Sequence, residues 1–375
     1  MIAGILRESG DEKRVALLPA EAAAVIKLGL KVVVEEGAGT GAFASDELYR
    51  TAGASTATRR EVVSGADVLF TVNPPLEDDI SLYREGQLIF TVLDPVANRD
   101  WLEKARQRKL TVMALDLVPR ITRAQSMDIL SSMATVSGYK AVLEAASLLP
   151  RFFPMFMSAA GTIKPARVLI LGAGVAGLQA IAVARKLGAV VEVFDVRSAV
   201  RDEVKSLGGK FIEVEGARED AAAGGYAVEQ TEDFRKRQQE LIQERAAAAD
   251  VIIATAQIPG KKAPVLVLKD TVTRMKPGSL IIDLAASSGG NCELTENGKT
   301  IMAGGVTIAG RSEYPAAMSS DASKMFGNNV VNLLRIMTDG KGNVNPDFTD
   351  EIVAGTAAVH GGEYLSPRVK QLLDI

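Results

Sequence analysis

A chain of 375 residues with 43 basic and 46 acidic side chains carries a formal charge of −3, and 47% of it is hydrophobic. This is the composition of a soluble protein of about two domains; it excludes disorder, and the near balance of charge without a strongly basic stretch excludes nucleic acid as a partner. A single cysteine, Cys292, permits no internal disulfide or cysteine-rich metal centre, and a single histidine, His360, removes multi-histidine zinc sites and most histidine acid–base chemistry but its own.

The opening MIAGILRESGDEKR lacks the basic start and long apolar core of a signal peptide, which predicts a cytoplasmic chain. Up to residue 115, short β-rich runs (MIAGIL, KVVVEE, DVLFTV, QLIFTVL, TVMAL) alternate with helical segments (PAEAAAVIKLG, SDELYRTAG, NRDWLEKARQRK). Such alternation predicts a parallel sheet covered by helices on both faces. Pro19 opens the first of these helices and Gly29 closes it. From Gln125 to about Leu149 one long apolar helical stretch follows, ending at Pro150.

A second alternation begins at residue 167: RVLILGAG as strand and turn, VAGLQAIAVARKLG as helix, AVVEVFDV as strand, RSAVRDEVKSLG as helix, KFIEVE as strand. A glycine- and acid-rich segment, a charged helix, DVIIATA and PGSLIIDLA come next, and the tail from Met318 has helical spacing. The pattern predicts an α/β chain of two Rossmann-like, doubly wound parallel-sheet domains joined by long helices with a cleft between them. Residues 1–125 plus 320–375 would form one, residues 126–319 the other. The longest uncharged run, residues 168–184, is 17 long and broken by glycines, short of the roughly 20 apolar residues that span a bilayer, so no direct membrane span is expected.

Three constellations carry chemistry. Gly172-Ala173-Gly174-Val175-Ala176-Gly177 follows a predicted strand and opens a predicted helix, with Asp195 at the end of the next strand. The glycines serve a tight turn, close approach to a pyrophosphate and close helix–strand packing, while the acid accepts from ribose hydroxyls. Arg197 is placed to hold a 2′-phosphate, but Asp195 beside it favours NAD over NADP. In the second, Gln125, Asp128 and Ser131 are spaced three apart, and on a helix they line one face with Arg120 just upstream. That face suits the carboxamide and ribose of a nicotinamide; alternatively Ser126 or Asp128 caps a helix and the arginines are solvated. In the third, Gly224-Gly225-Tyr226-Ala227 reads as a mobile flap over a ligand or as an ordinary surface loop.

At RAQSMDILSS, VLILGAGVAGLQA, FDVR, AGGYA, IPGKKAPVL and IIDLAASSGGNCELT the chain resembles the NAD(H)-binding components of proton-translocating nicotinamide nucleotide transhydrogenases, in their separately encoded alpha-1 form. The resemblance runs from KRVALLP to EIVAGT. It implies that Arg120, Gln125, Asp128 and Ser131 surround the nicotinamide, that Gly174, Val175 and Ala176 contact the pyrophosphate, that Asp195 holds the ribose, and that Tyr226 sits on a mobile loop. Ser126, Gly172, Gly177, Val196, Arg197, Gly225 and Gln257 join them as cofactor-binding positions, Gln257 standing where leucine is common; no metal site is implied. It further implies an oxidoreductase, a proton-translocating translocase in its assembly, that binds NAD(H), forms a homodimer, and docks on a membrane-spanning partner carrying the NADP(H)-binding component. The chain would then be cytoplasmic, peripheral on the inner face of the cell membrane.

Alanine dehydrogenases share the two-domain plan and give an alternative. Where they carry a lysine, a histidine and an acid, this chain has Thr71, no histidine near Leu93, and Ser287. Oxidising an amino acid requires a positioned base, whereas hydride exchange between nicotinamides requires only proximity. A non-catalytic NAD(H)-sensing module would use the same cofactor motifs and differ only in lacking turnover with a partner.

Overall fold

The computed structural model describes residues 1–213, 232–257 and 261–375. Gly225 and Tyr226, on which the flap reading rests, lie outside them. The described chain forms two compact units, Met1–Met133 with Pro315–Ile375, and Ala134–Tyr314.

In the first unit six strands run parallel: β1 (Ile2–Ile5), β2 (Lys31–Glu35), β3 (Ser55–Ala57), β4 (Val68–Phe70), β5 (Leu88–Thr91) and β6 (Thr111–Ala114). β4, β5 and β6 are buried along their whole length because both faces of the sheet are covered there. Along β5, Leu88 and Phe90 enter one core and Ile89 the other. Helix Pro19–Lys27 begins on its proline and turns off at Gly29, φ +93. The sequence reading assigns no element to residues 55–65, yet β3 and helix Arg59–Gly65 form there. The strand is too short to show alternation; the helix is set by a capping box, Thr58 receiving the Glu61 N–H while the Glu61 carboxylate accepts from the Thr58 N–H.

In the second unit the greater part of helix Ile129–Leu148 is followed by a hairpin, β7 (Phe156–Ser158) and β8 (Gly161–Ile163). The sheet of this unit comprises β9 (Arg167–Leu171), β10 (Val190–Phe194), β11 (Lys210–Ile212), β12 (Val251–Ala254), β13 (Leu280–Asp283), β14 (Lys299–Ala303) and β15 (Val306–Gly310). The order is β11-β10-β9-β12-β13-β15-β14, parallel except for the edge strand β14. The reversal between β9 and β12 is that of a doubly wound dinucleotide fold.

The chain then returns to the first unit. Helix Ser319–Arg335 places Phe326, Val330, Leu333 and Leu334 in its core. β16 (Ala357–His360) pairs antiparallel with β6 and β17 (Glu363–Tyr364) with β16, completing the order β17-β16-β6-β5-β4-β1-β2-β3. Each unit thus carries a mixed, mainly parallel sheet in a doubly wound order, the predicted fold class.

Candidate nucleotide site

Strand register assembles the site of the second unit. Leu171 at the end of β9 lies opposite Phe194 of β10 and Ala254 of β12. The residues that follow each strand, Gly172, Asp195 and Thr255, therefore emerge at one sheet edge, where the strand order reverses.

The three glycines meet different constraints. Gly172 turns at φ +101, and a Cβ there would lie 2.6 Å from Thr255 Oγ1. The Thr255 hydroxyl donates to Leu171 O (3.2 Å) or Gly172 O (3.1 Å), holding the turn from below. Gly177, buried in the first turn of helix Val175–Lys186, would bring a Cβ to 2.9 Å from Gly172 C and closer still to its oxygen. A Cβ on Gly174 would meet nothing within 4 Å. Gly174 caps the helix through its backbone alone, so the N–H groups of the first turn face outward without a side-chain acceptor. Open space at Gly174 and donors behind it fit the pyrophosphate of a dinucleotide.

Asp195 follows β10 with its side chain 6% exposed. Its Oδ2 accepts from the Ala173 N–H (2.7 Å) and Arg197 Nη2 (2.9 Å), and its Oδ1 from the Arg197 N–H (2.8 Å) and Nε (2.9 Å). Burial pushes the carboxyl up, but Arg197 and the Ala173 N–H outweigh it and hold it below the usual carboxylate range. Val196 is half-buried, and exposed Gln257 donates to Leu284 O at 2.9 Å.

Sequence reasoning gave no role to the residues that brace this edge. Buried Asn291 donates to Ala256 O and Pro264 O (both 2.8 Å) and accepts the Ala256 N–H (3.0 Å). Asp283, fully buried, accepts from the N–H groups of Ala285, Asn291 and Cys292 and from the Thr295 hydroxyl (2.6 Å). Gly138 lets helix Ile129–Leu148 approach the nucleotide helix, since a Cβ would stand 2.9 Å from Ala176 C. The glycine pair in ASSGGNC is the local signal for a tight turn here, Gly289 and Gly290 both having positive φ, and nothing local indicates the partners of Asn291 and Asp283.

The segment 120–131 corrects the sequence reading. Gln125, Asp128 and Ser131 do not share an α-helical face. Residues Thr122–Met127 form a 3₁₀ turn and the α-helix starts only at Ile129. Asp128 has extended backbone, and its carboxylate accepts from the Ser131 N–H (2.9 Å) and hydroxyl (2.6 Å), so it caps the helix. The turn is anchored by Asn329 and Asn332, which donate to Ser126 O at 2.8 and 3.1 Å, and by Arg123 on Asp350 at 2.7 Å. The side chains of Arg120 and Gln125 are exposed and unpartnered among the described residues.

Positions where a dehydrogenase acting on amino acids needs charge are spent or neutral. Thr71 is buried with its hydroxyl 3.4 Å from Phe90 O, and Ser287 is exposed. Below Leu93 lies a carboxylate, Asp116, but its oxygens accept the Leu93 and Asp94 N–H groups at 2.8 and 3.0 Å. Burial raises its pKa. His360 lies at the end of β16 with Nδ1 2.9 Å from Thr111 Oγ1 and its ring against Phe348.

Residues 4–137 match the alanine dehydrogenase/PNT N-terminal domain and residues 141–367 its C-terminal domain. In Rhodospirillum rubrum the NAD(P) transhydrogenase alpha subunit is divided into parts, and the chain is 46% identical to the first of them over 366 residues, covering 95% of each. A crystal structure of transhydrogenase from Sinorhizobium meliloti superposes with a TM-score of 0.89 at 41% identity, over 97% of this chain and all of that one. Alanine dehydrogenase of Mycolicibacterium smegmatis is more distant, 29% identical over 100% of this chain and 97% of that protein.

Proposed function

This chain belongs to the alanine dehydrogenase/PNT family, and from that premise we propose that it is the NAD(H)-binding alpha subunit of an NAD(P) transhydrogenase. It is an oxidoreductase component that exchanges a hydride between NAD(H) on this chain and NADP(H) on a partner. The observation that carries this reading is a complete dinucleotide loop, with the family's acid–base positions occupied by Thr71 and Ser287 and with Asp116 spent on backbone. Removing a hydride from an amino acid also means removing an N–H proton, which those groups are not placed to take. Holding a hydride donor against an acceptor requires only position.

The nicotinamide of bound NAD(H) would supply the hydride chemistry itself. Gly174, Val175 and Ala176 would receive the pyrophosphate and Asp195 the adenosine ribose. Exposed Arg120 and Gln125 would orient the nicotinamide end, while Asp128 and Ser131, locked to each other, fix the turn that presents them. Gly225 and Tyr226, outside the described residues, would add to the nucleotide-binding positions.

A homodimer accompanies this reading. The six residues of β7 and β8 are all exposed, Phe152 stacks on Phe156 at 5.0 Å, and Met157 is 71% exposed. A two-stranded ribbon displaying apolar side chains is marginal alone and gains by pairing with a second copy. No helix among the described residues is long and apolar enough to cross a membrane. Proton translocation would belong to a membrane-spanning partner that also carries the NADP(H) component and holds this chain at the inner face of the cell membrane.

Reconstitution tests the reading. With membranes containing the partner, the chain should transfer hydride from NADH to an NADP analogue. Alone with NAD and alanine it should produce no NADH. Alanine-dependent NADH formation by the chain alone would overturn the assignment.

A further inference from the structure

A carboxylate offers about four acceptor directions, and on Asp195 all four are taken, three of them by Arg197. Arg197 Nε and Nη2 approach the two oxygens side by side at 2.9 Å, two parallel donors on one carboxylate. A vicinal ribose diol presents its two O–H groups to a carboxylate in the same way. Only the contacts from the Ala173 and Arg197 N–H groups come from backbone and persist when the guanidinium moves. The Arg197 side chain is 31% exposed, so the guanidinium has solvent to swing into.

Resting on the NAD(H) reading, we propose that Arg197 is an internal competitor for the ribose position: its guanidinium occupies the place of the adenosine diol on Asp195 and must be displaced for the nucleotide to seat. The same ion pair sets specificity. While Arg197 neutralises Asp195, a 2′-phosphate meets little net charge at this edge; without the arginine it meets a bare carboxylate. Arg197 therefore weakens NADH binding and narrows the gap between NADH and NADPH, the opposite of what a simple nucleotide-binding arginine would do.

Isothermal titration of NADH and NADPH into the full chain, its Arg197→Ala and Arg197→Lys variants, and Asp195→Asn decides the matter. Arg197→Ala should bind NADH about two- to fivefold more tightly than the parent, the scale of a partly exposed ion pair, and NADPH more weakly. Arg197→Lys, keeping the charge but not the two-donor edge, should show a smaller gain for NADH and keeps the test open if the alanine variant does not fold. Asp195→Asn, which leaves the Arg197 charge unopposed, should bind NADH more weakly than the parent and shift the preference toward NADPH. Weaker NADH binding in both arginine variants would overturn the proposal and make Arg197 a direct nucleotide ligand. A parent that binds neither nucleotide would instead overturn the NAD(H) reading.

Discussion

Two glycines of the loop that follows β9 should fail in opposite ways when a methyl group is added. At Gly177 the methyl carbon would stand 2.9 Å from Gly172 C and within the contact distance of its oxygen. The ordinary separation is about 3.5–4.0 Å, so helix and turn must part by at least half an ångström in a buried place. Overpacking of this kind costs about 1–3 kcal/mol. The reduced freedom of the unfolded chain returns about 0.4–1 kcal/mol, leaving Gly177→Ala less stable by roughly 1–2 kcal/mol. At Gly174 the methyl has open space, and φ −76 with ψ −170 is extended backbone that alanine adopts freely. There the unfolded-state gain offsets alanine's weaker capping, so Gly174→Ala should unfold within about 0.5 kcal/mol of the parent. Its methyl, however, fills the path of the pyrophosphate, and NADH affinity should fall more than about tenfold, or 1.4 kcal/mol. Urea unfolding of both variants, with calorimetric titration of NADH, separates the two effects. A Gly174→Ala variant with parental affinity would refute the placement of the pyrophosphate. A Gly177→Ala variant as stable as the parent would refute the packing argument.

Asp128→Ala removes the cap on helix Ile129–Leu148 and should lower unfolding free energy in urea by about 1 kcal/mol, with Asp128→Asn losing less. Asp283→Ala strands three buried N–H groups and a hydroxyl; a loss of about 3 kcal/mol or more in denaturant is expected, and a loss below about 1 kcal/mol would show that the loop can repack. Glu8 is raised by burial from 4.5 to about 7 despite accepting the Val72 and Asn73 N–H groups. The folded chain keeps this proton between those values while the unfolded chain releases it, so stability falls as pH rises from 4.5 to about 7, by at most about 3 kcal/mol. The stability difference between parent and Glu8→Gln should change across that window, and a difference independent of pH would contradict it. Replacing Phe156 and Met157 with lysine should convert a dimer to monomers in sedimentation at micromolar concentration while urea stability at matched monomer state changes little.

Much of the fold was legible because its signals are local. Continuous apolar runs such as LIFT and VLIL mark strands covered on both faces, and the helical segments between them impose parallel crossovers. The dinucleotide loop was legible for the same reason: its three glycines and Asp195 belong to one strand–helix–strand unit, and each constraint acts within about 25 residues. The segment 120–131 shows where that reasoning stops. Three-residue spacing is compatible with a helical face, but a carboxylate that captures the N–H three residues on makes that position the start of the helix rather than part of its interior, and only the folded turn shows which occurs. The braces of the nucleotide loop and of the turn at 122–127 lay further out of reach. Thr255 supports Gly172 from 83 residues away, Asn291 holds Ala256 from 35, and Asn329 holds Ser126 from 203. The antiparallel seat of β16 on β6 likewise joins residues as remote as Ala357 and Met113. No periodicity encodes such contacts. By itself the sequence determined which segments are strands and which loop suits a nucleotide; tertiary structure alone decided which distant side chains hold that loop in shape, because a hydrogen bond between remote residues depends on strand order and register rather than on either residue's neighbours.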